Sequence, residues 1–142
     1  MLVEEVMTED VKKIEETATV EEAAKQMAEL KISSLIVSKG DELAGIITDG
    51  DIIRNLVAQG KDPTKTKVKN VMTKEVIMVK PDLELSDAIE IMTEKQLKTL
   101  PVIDGNRLVG VVTMTDLCSA QPKLVEKFSH AILGKKQKPV AG

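Results

Sequence analysis

The chain has 142 residues, a formal net charge of −3, and Phe128 as its only aromatic residue. Its hydrophobic content of 42% is enough for a core, which must therefore be aliphatic and methionine-rich. The scarcity of aromatic rings and the acidic balance argue against single-stranded nucleic-acid stacking and against broad phosphate-backbone binding by the folded body.

The chain carries one cysteine, Cys118, and one histidine, His130, so neither an internal disulfide nor a Cys/His metal site is expected. The apolar neighbours of Cys118 predict a buried, unreactive thiol. No catalytic nucleophile–base pair can be assembled, so no enzymatic activity is expected. An apolar run of about 18 residues is lacking, and acidic residues directly follow the first three positions, unlike a secretory signal. We expect a cytoplasmic protein without membrane association.

The first half of the chain predicts the order strand, helix, strand, strand, helix. Thr19 and Glu22 have the spacing of a capping box and begin the first helix. Thr48 begins a second helix that runs to about Gln59 and ends before Gly60. The strand candidates of this half are Val11–Ile14, Ser34–Ser38 and Leu43–Ile47.

The second half repeats this order after a polar linker. Its helix spans Ser86–Gln96, and its last helix begins at Thr113 or Thr115. Asp104-Gly105-Asn106 is a strong hairpin signal. The strand candidates are Val76–Val79, Leu100–Ile103 and Leu108–Val112. Beyond Pro122, an amphipathic helix over Lys123–Leu133 and a basic flexible tail are expected.

The elements recur because the sequence repeats itself at an offset of 65 residues. Val6-Met7-Thr8 returns as Val71-Met72-Thr73, and Gly45-Ile46-Ile47-Thr48-Asp49-Gly50-Asp51 returns as Gly110-Val111-Val112-Thr113-Met114-Thr115-Asp116. Such a period predicts two copies of one unit that pack about a pseudo-twofold axis, with two equivalent clefts between them. Clefts where strands end and helices begin suit small anionic ligands.

The repeated threonine and aspartate offer the chemistry of a nucleotide site. Backbone N–H groups at the helix start and the Thr48 hydroxyl favour a phosphate, and the Asp51 carboxylate accepts hydrogen bonds from two ribose hydroxyls. Thr113 and Asp116 repeat this pair, with Thr115 as a second hydroxyl. Ordinary helix capping explains the same residues equally well for one copy, so both interpretations stay open.

The doubled Gly-x-x-Thr-x-x-Asp segment, the two Val-Met-Thr segments and the Leu100-Pro101-Val102 strand resemble the tandem cystathionine beta-synthase (CBS) domain family. The resemblance covers about residues 3–121 and implies an α+β fold. In that fold, two βαββα CBS motifs pack by pseudo-twofold symmetry into one CBS-pair (Bateman) module, here a stand-alone one. The implied divisions are CBS motif 1 at 1–60, a linker at 61–70, CBS motif 2 at 71–121, and a C-terminal helix and basic flexible tail at 122–142.

The resemblance also implies a function. Relatives commonly bind adenosine-containing ligands, so we expect a regulatory module that senses AMP, ADP, ATP or S-adenosylmethionine. No cofactor is expected beyond that ligand, which could bring Mg²⁺ with it. A homodimer and an unidentified protein partner are expected as well.

The resemblance assigns an adenine slot to Lys13-Ile14 with Ser34-Leu35-Ile36 and a second one to Met78-Val79 with Thr99-Leu100-Pro101. The cations that could contact a phosphate are Lys13, Arg54, Lys98 and Arg107. The side chains of Ile14, Val79 and Leu100 are expected to be mainly core. The expected ligand-binding residues are Lys13, Ile14, Ser34, Leu35, Thr48, Asp51, Arg54, Val79, Lys98, Thr99, Leu100, Pro101, Thr113, Thr115 and Asp116.

The two junctions differ in charge. Asp49 adds a carboxylate at the first junction, where Met114 stands at the second, so a phosphate-bearing ligand should prefer Thr113–Asp116. A scaffold protein acting through the C-terminal helix and Lys-rich tail, with vestigial clefts, is the alternative. Nucleic-acid binding through that tail is a weaker possibility, since the body offers no basic face.

Overall fold

The computed structural model describes residues 1–124 and 126, which form two compact units. One unit is the continuous segment Val11–Val76, and the other combines Met1–Asp10 with Ile77 and the residues after it. Each Val-Met-Thr segment therefore belongs to the unit built from the other repeat. The boundaries at residues 60 and 71 were placed by the sequence repeat rather than by these compact units. They remain a prediction.

The continuous unit contains a three-stranded sheet of β1 (Lys13–Glu15), β2 (Ser34–Lys39) and β3 (Glu42–Thr48) in that order, with β1 parallel to β2 and β2 antiparallel to β3. Gly40, with φ at 63°, allows the tight turn between β2 and β3. The elements are β1 (Lys13–Glu15), α2 (Val20–Leu30), β2 (Ser34–Lys39), β3 (Glu42–Thr48), α3 (Asp49–Ile52), a π-helix (Ile53–Val57) and a 3-10 helix (Val68–Asn70).

The capping box predicted at Thr19 begins α2, because the Thr19 hydroxyl accepts the Glu22 N–H at 3.2 Å and the Glu22 carboxylate accepts the Thr19 N–H at 2.9 Å. The apolar face of α2 packs on the sheet. Val68, inside the predicted linker at 61–70, and Val71, just after it, are fully buried in the same core. The Val68 N–H also donates to the Ala18 carbonyl at 2.8 Å. This part of the chain is therefore packed into the unit rather than serving as a loose linker.

The second unit contains a helix, a β-hairpin and the beginning of the chain. Val76–Val79, predicted as a strand, makes only an isolated parallel bridge between Val79 and Val102. A short helix at the start of the chain, α1, was missed by the sequence pattern. The elements are α1 (Val3–Val6), α4 (Leu85–Lys95), β4 (Thr99–Asp104), β5 (Arg107–Thr113) and α5 (Met114–Ala120).

Residues at the start of the chain complete the core of this second unit. Val3 is fully buried, and its N–H donates to the Leu83 carbonyl at 2.8 Å. The Leu85 N–H donates to the Met1 carbonyl at 3.0 Å, which ties the start of α4 to the opening residues. The core of the second unit therefore depends on residues about eighty positions apart in the chain.

The helix predicted from Thr48 is present but irregular, and one prediction about α5 was wrong. The helix beginning at Thr48 is α-helical only to Ile52 and continues as a π-helix, in which Ala58 N–H donates to the Ile53 carbonyl at 2.9 Å. Cys118 is exposed on α5 rather than buried. Pro122–Leu124 are helical, while the rest of the predicted C-terminal helix and tail, Glu126 aside, lies outside the described residues.

The longest helices in the described part of the chain have 11 residues. None of them has the length and apolar character needed to span a bilayer.

The glycine of each Gly-x-x-Thr-x-x-Asp segment is where a Val-Met-Thr segment approaches closely. Thr73 and Ile46 exchange backbone hydrogen bonds of 2.8 and 3.0 Å. A Cβ on Gly45 would lie 2.5 Å from the Thr73 carbonyl oxygen, a distance that real side chains do not tolerate. The repeated glycine is thus required by this backbone contact.

The second unit has the same arrangement with more room. Thr8 and Val111 exchange backbone hydrogen bonds of 2.8 and 3.0 Å. A Cβ on Gly110 would lie 3.0 Å from the Thr8 carbonyl oxygen and 2.7 Å from Met7 Sδ, which is the flexible end of a side chain.

We expect Gly45→Ala to lower the free energy of unfolding by about 1–3 kcal/mol, because the added methyl group must push the Thr73 backbone away. Gly110→Ala is the matched control and should cost less, because the Met7 side chain can move aside. Urea unfolding of both variants measures which substitution costs more stability. A larger loss for Gly110→Ala would contradict this prediction.

Candidate functional site

The first junction lies where β3 ends at Thr48 and α3 begins. The Thr48 hydroxyl accepts the Asp51 N–H at 3.0 Å, and the Asp51 carboxylate accepts the Thr48 N–H at 3.1 Å. This reciprocal pair is a capping box in which aspartate takes the place of the usual glutamate. Capping, one of the two interpretations of this pattern, therefore occurs here, and it fixes the orientation of the carboxylate.

Asp51 has further partners besides its cap. The Thr73 hydroxyl lies 3.0 Å from Oδ1 and 3.2 Å from Oδ2, and Arg54 Nη2 lies 3.7 Å from Oδ1. Asp51 is only 4% exposed, whereas the Arg54 side chain is 69% exposed. The Asp51 carboxylate is thus buried and held from three directions.

The start of α3 is also closed by its own side chains. The Asp49 carboxylate accepts the Gly50 N–H at 2.8 Å, and the Asp49 N–H donates to the Ser33 carbonyl at 3.0 Å. The Arg54 guanidinium lies over Gly50, since a Cβ on that glycine would be 2.7 Å from Nη1. The backbone donors that the sequence offered to a phosphate are therefore already used within the unit.

The second junction repeats the capping box where β5 ends at Thr113. The Asp116 carboxylate accepts the Thr113 N–H at 2.9 Å, and the Thr113 hydroxyl accepts the Asp116 N–H at 3.1 Å. The Thr8 hydroxyl lies 3.5 Å from both Asp116 oxygens, at the outer limit of a hydrogen bond. Asp116 is half-buried rather than buried.

The backbone at the start of α5 is more open than at α3. The Met114 N–H donates to the Lys98 carbonyl at 2.9 Å. The Thr115 N–H makes no hydrogen bond with any described residue, and Thr115 is exposed. The second junction thus combines an accessible carboxylate, a hydroxyl and an unused backbone donor.

The expected adenine-slot residues lie beside the first junction in the continuous unit. Ser34 is paired with Thr48 across the β2–β3 ladder, and exposed Lys13 is paired with Ile36 on the neighbouring strand. Leu35 is 1% exposed and belongs to the core, as Ile14 does in part. The polar residues of the set therefore share one edge of the unit, while Leu35 faces the interior.

The corresponding residues of the second unit surround Thr113. Thr99 is paired with Thr113 across the β4–β5 ladder, and exposed Lys98 directly precedes it. Val79 N–H donates to the Pro101 carbonyl at 3.0 Å. Val79, Leu100 and Pro101 are buried, so their side chains mainly form the wall and core next to the junction.

Two residues of the candidate site were missed by sequence reasoning. Thr73 and Thr8 supply the hydroxyl groups that approach Asp51 and Asp116. Their signal was present, because Val-Met-Thr recurs at the same offset of 65 residues as Thr-x-x-Asp. The sequence could not show that each threonine reaches the aspartate of the other repeat.

A cavity of about 540 Å³ in the second unit does not coincide with the Thr113–Asp116 junction. It lies around Ile103, Asp104 and Gly105, at the opposite end of β4 from Thr99. Within the described residues, no group of three or more His, Cys, Asp or Glu side chains is placed to hold a metal ion.

Comparison with known proteins relates this arrangement to a family. An uncharacterized protein of Methanopyrus kandleri is 39% identical over 123 residues, which are 85% of this chain and 63% of that relative. The CBS domain-containing protein YhcV of Bacillus subtilis is 35% identical over 119 residues, covering 84% of each. This chain thus spans less than two thirds of the first of these relatives.

A solved structure shares both the fold and the doubled organisation. The CBS domain pair of protein MJ0100, in complex with 5′-methylthioadenosine and S-adenosyl-L-methionine, has a TM-score of 0.75 and 27% sequence identity. The match covers 84% of this chain and 94% of that one. The family model of the CBS domain matches residues 3–58 and again 68–123. With an α+β fold, two repeats and these matches, the chain belongs to the CBS domain family and carries two CBS domains in tandem.

Proposed function

We propose that this protein is a regulatory module that binds an adenosine-containing ligand, such as AMP, ADP, ATP or S-adenosylmethionine, at its Thr-x-x-Asp junctions. The observation that carries the proposal is the Asp116 carboxylate, which is oriented by the Thr113 N–H but has only a long contact with Thr8. Such a carboxylate has acceptor positions left for the neighbouring hydroxyls of a ribose.

The known ligands of a relative support the choice of adenosine. 5′-Methylthioadenosine and S-adenosyl-L-methionine, named in the structure of the related CBS domain pair, share only the adenosine part with AMP. A site that grips ribose and adenine suits all three molecules. The Thr115 N–H and the Thr113 hydroxyl next to Asp116 would then receive a 5′ phosphate or a substituent in its place.

Regulation requires that the ligand bind one arrangement of the module better than another. We place the readout in a homodimer, with an unidentified partner protein sensing its arrangement. Ile53 and Val57, which the π-helix presents at 61% and 65% exposure, supply an apolar surface for pairing. Mg²⁺ would enter only with a bound nucleotide, and we propose a cytoplasmic location.

The alternative of a scaffold acting through residues 122–142 gains no support from the structure. Position 125 and residues 127–142 lie outside the described part of the chain. The carboxylates of the two junctions lie among the described residues and support the ligand-binding proposal instead.

Replacing both carboxylates tests the proposal directly. We expect Asp51→Asn combined with Asp116→Asn to weaken AMP binding by about tenfold or more, since charge-assisted hydrogen bonds to the ribose are lost. Isothermal titration measures the affinity. Asp82→Asn, an exposed carboxylate away from both junctions, is the matched control and should bind AMP normally. An unchanged affinity for AMP in the double variant would show that neither carboxylate binds the ligand.

The carboxylate should also reject a 2′-phosphorylated ribose. We expect adenosine 2′,5′-bisphosphate to compete at least about tenfold less well than AMP, because its extra phosphate would meet the negative charge of Asp116. NADP should likewise be rejected relative to AMP. Competition against a fluorescent AMP analogue provides the measurement. Equal competition by both compounds would contradict a ribose–carboxylate contact.

A further inference from the structure

The two junctions share one sequence pattern but hold their carboxylates differently. We infer that Thr73 and Arg54 close the first junction, so that each chain takes up one adenosine ligand, at Asp116. The inference rests on the proposed function and assigns specificity-determining roles to Thr73 and Arg54 within it.

Two acceptor positions of Asp51 are taken by short hydrogen bonds, and a guanidinium faces one of its oxygens. An ionised carboxylate has about four such positions. Oδ2 accepts the Thr48 N–H, the Thr73 hydroxyl lies within 3.2 Å of both oxygens, and the Arg54 guanidinium faces Oδ1 at 3.7 Å. A ribose would have to displace these groups. The protein would then lose hydrogen bonds of the same kind as those that the ribose forms.

Access to Asp51 is restricted as well. The residue is 4% exposed, and the guanidinium of Arg54 covers the adjoining backbone at Gly50. Ser119 stands at the position of Arg54 in the second repeat, so the second junction has no arginine at that position. Arg54, expected to contact a phosphate, would in this arrangement close the junction instead.

Asp116 presents the opposite case. Its contact with the Thr8 hydroxyl is 3.5 Å to either oxygen, so exchanging that hydroxyl for a ribose hydroxyl loses little. Thr8 and Thr73 are the same residue at the same position of the repeat. The difference between the junctions therefore comes from their distances and burial and from Arg54, rather than from the threonines themselves.

Charge acts in the same direction. The Asp49 carboxylate lies on the Gly50 N–H at the start of α3, where a phosphate would otherwise bind. Met114 at the equivalent position of the second junction is neutral. A ligand with a 5′ phosphate would thus meet, at the first junction, a carboxylate that already occupies the backbone donor it would use.

The stoichiometry of AMP binding tests the inference. We expect isothermal titration of the wild-type protein to give one AMP per chain, and Asp116→Asn to remove saturable binding. Two AMP per chain, or binding in Asp116→Asn at an undiminished affinity, would overturn the inference while leaving the proposed function intact. Absence of AMP binding by the wild-type protein would overturn both. If Asp116→Asn does not fold, as judged by circular dichroism, the wild-type stoichiometry alone decides.

A matched pair of threonine variants tests the closure itself. Thr73→Val should lower the midpoint of urea unfolding, because its hydroxyl serves the buried Asp51. Thr8→Val, the same substitution at the equivalent position, should lower that midpoint less, because its hydrogen bonds are longer. A loss of AMP affinity of about tenfold in Thr73→Val would place Thr73 in a working site and overturn the inference.

Discussion

The structure of each unit depends on a close backbone contact between a Val-Met-Thr segment and the last strand of a β-hairpin. Paired hydrogen bonds hold Thr73 against Ile46 and Thr8 against Val111, and the neighbouring glycine leaves room for each segment. The same contact brings a threonine hydroxyl to the aspartate of the helix that follows. Fold and candidate site are therefore built by one interaction, and a repeated glycine, threonine and aspartate serve it together.

Repetition of a sequence does not make two sites alike. Both junctions form a capping box, so the carboxylate of each is oriented before any ligand arrives. Preorganisation of this kind lowers the cost of binding, but only if the oriented group still has acceptors to offer. Asp51 is engaged by its neighbours, whereas Asp116 is oriented but incompletely satisfied. A duplicated unit can in this way keep one copy for architecture and the other for recognition.

The sequence predicted the main elements because their signals are local. The capping box at Thr19, the hairpin at Asp104-Gly105-Asn106 and the helix starts at Thr48 and Thr113 each depend on neighbouring residues. The exchange of the Val-Met-Thr segments depends on contacts across many residues, which spacing alone does not encode. The π-helix at Ile53–Val57 and the exposure of Cys118 were missed for a related reason, since helical periodicity assumes a regular α-helix and a known inner face. In the candidate site, the threonine–aspartate pairs were predictable, but the Arg54 contact and the burial of Asp51 were not.

The packing of each Val-Met-Thr segment in the unit of the other repeat has a consequence for synthesis on the ribosome. Val11–Val76 is continuous, so its residues are all present once Val76 has left the exit tunnel. Met1–Asp10 emerges before that segment but has its partners beyond Ile77, and it must remain unpaired until the second half of the chain is made. Residues made before the continuous unit are thus among the last to reach their native contacts, and the unit containing Asp116 is completed after the one containing Asp51.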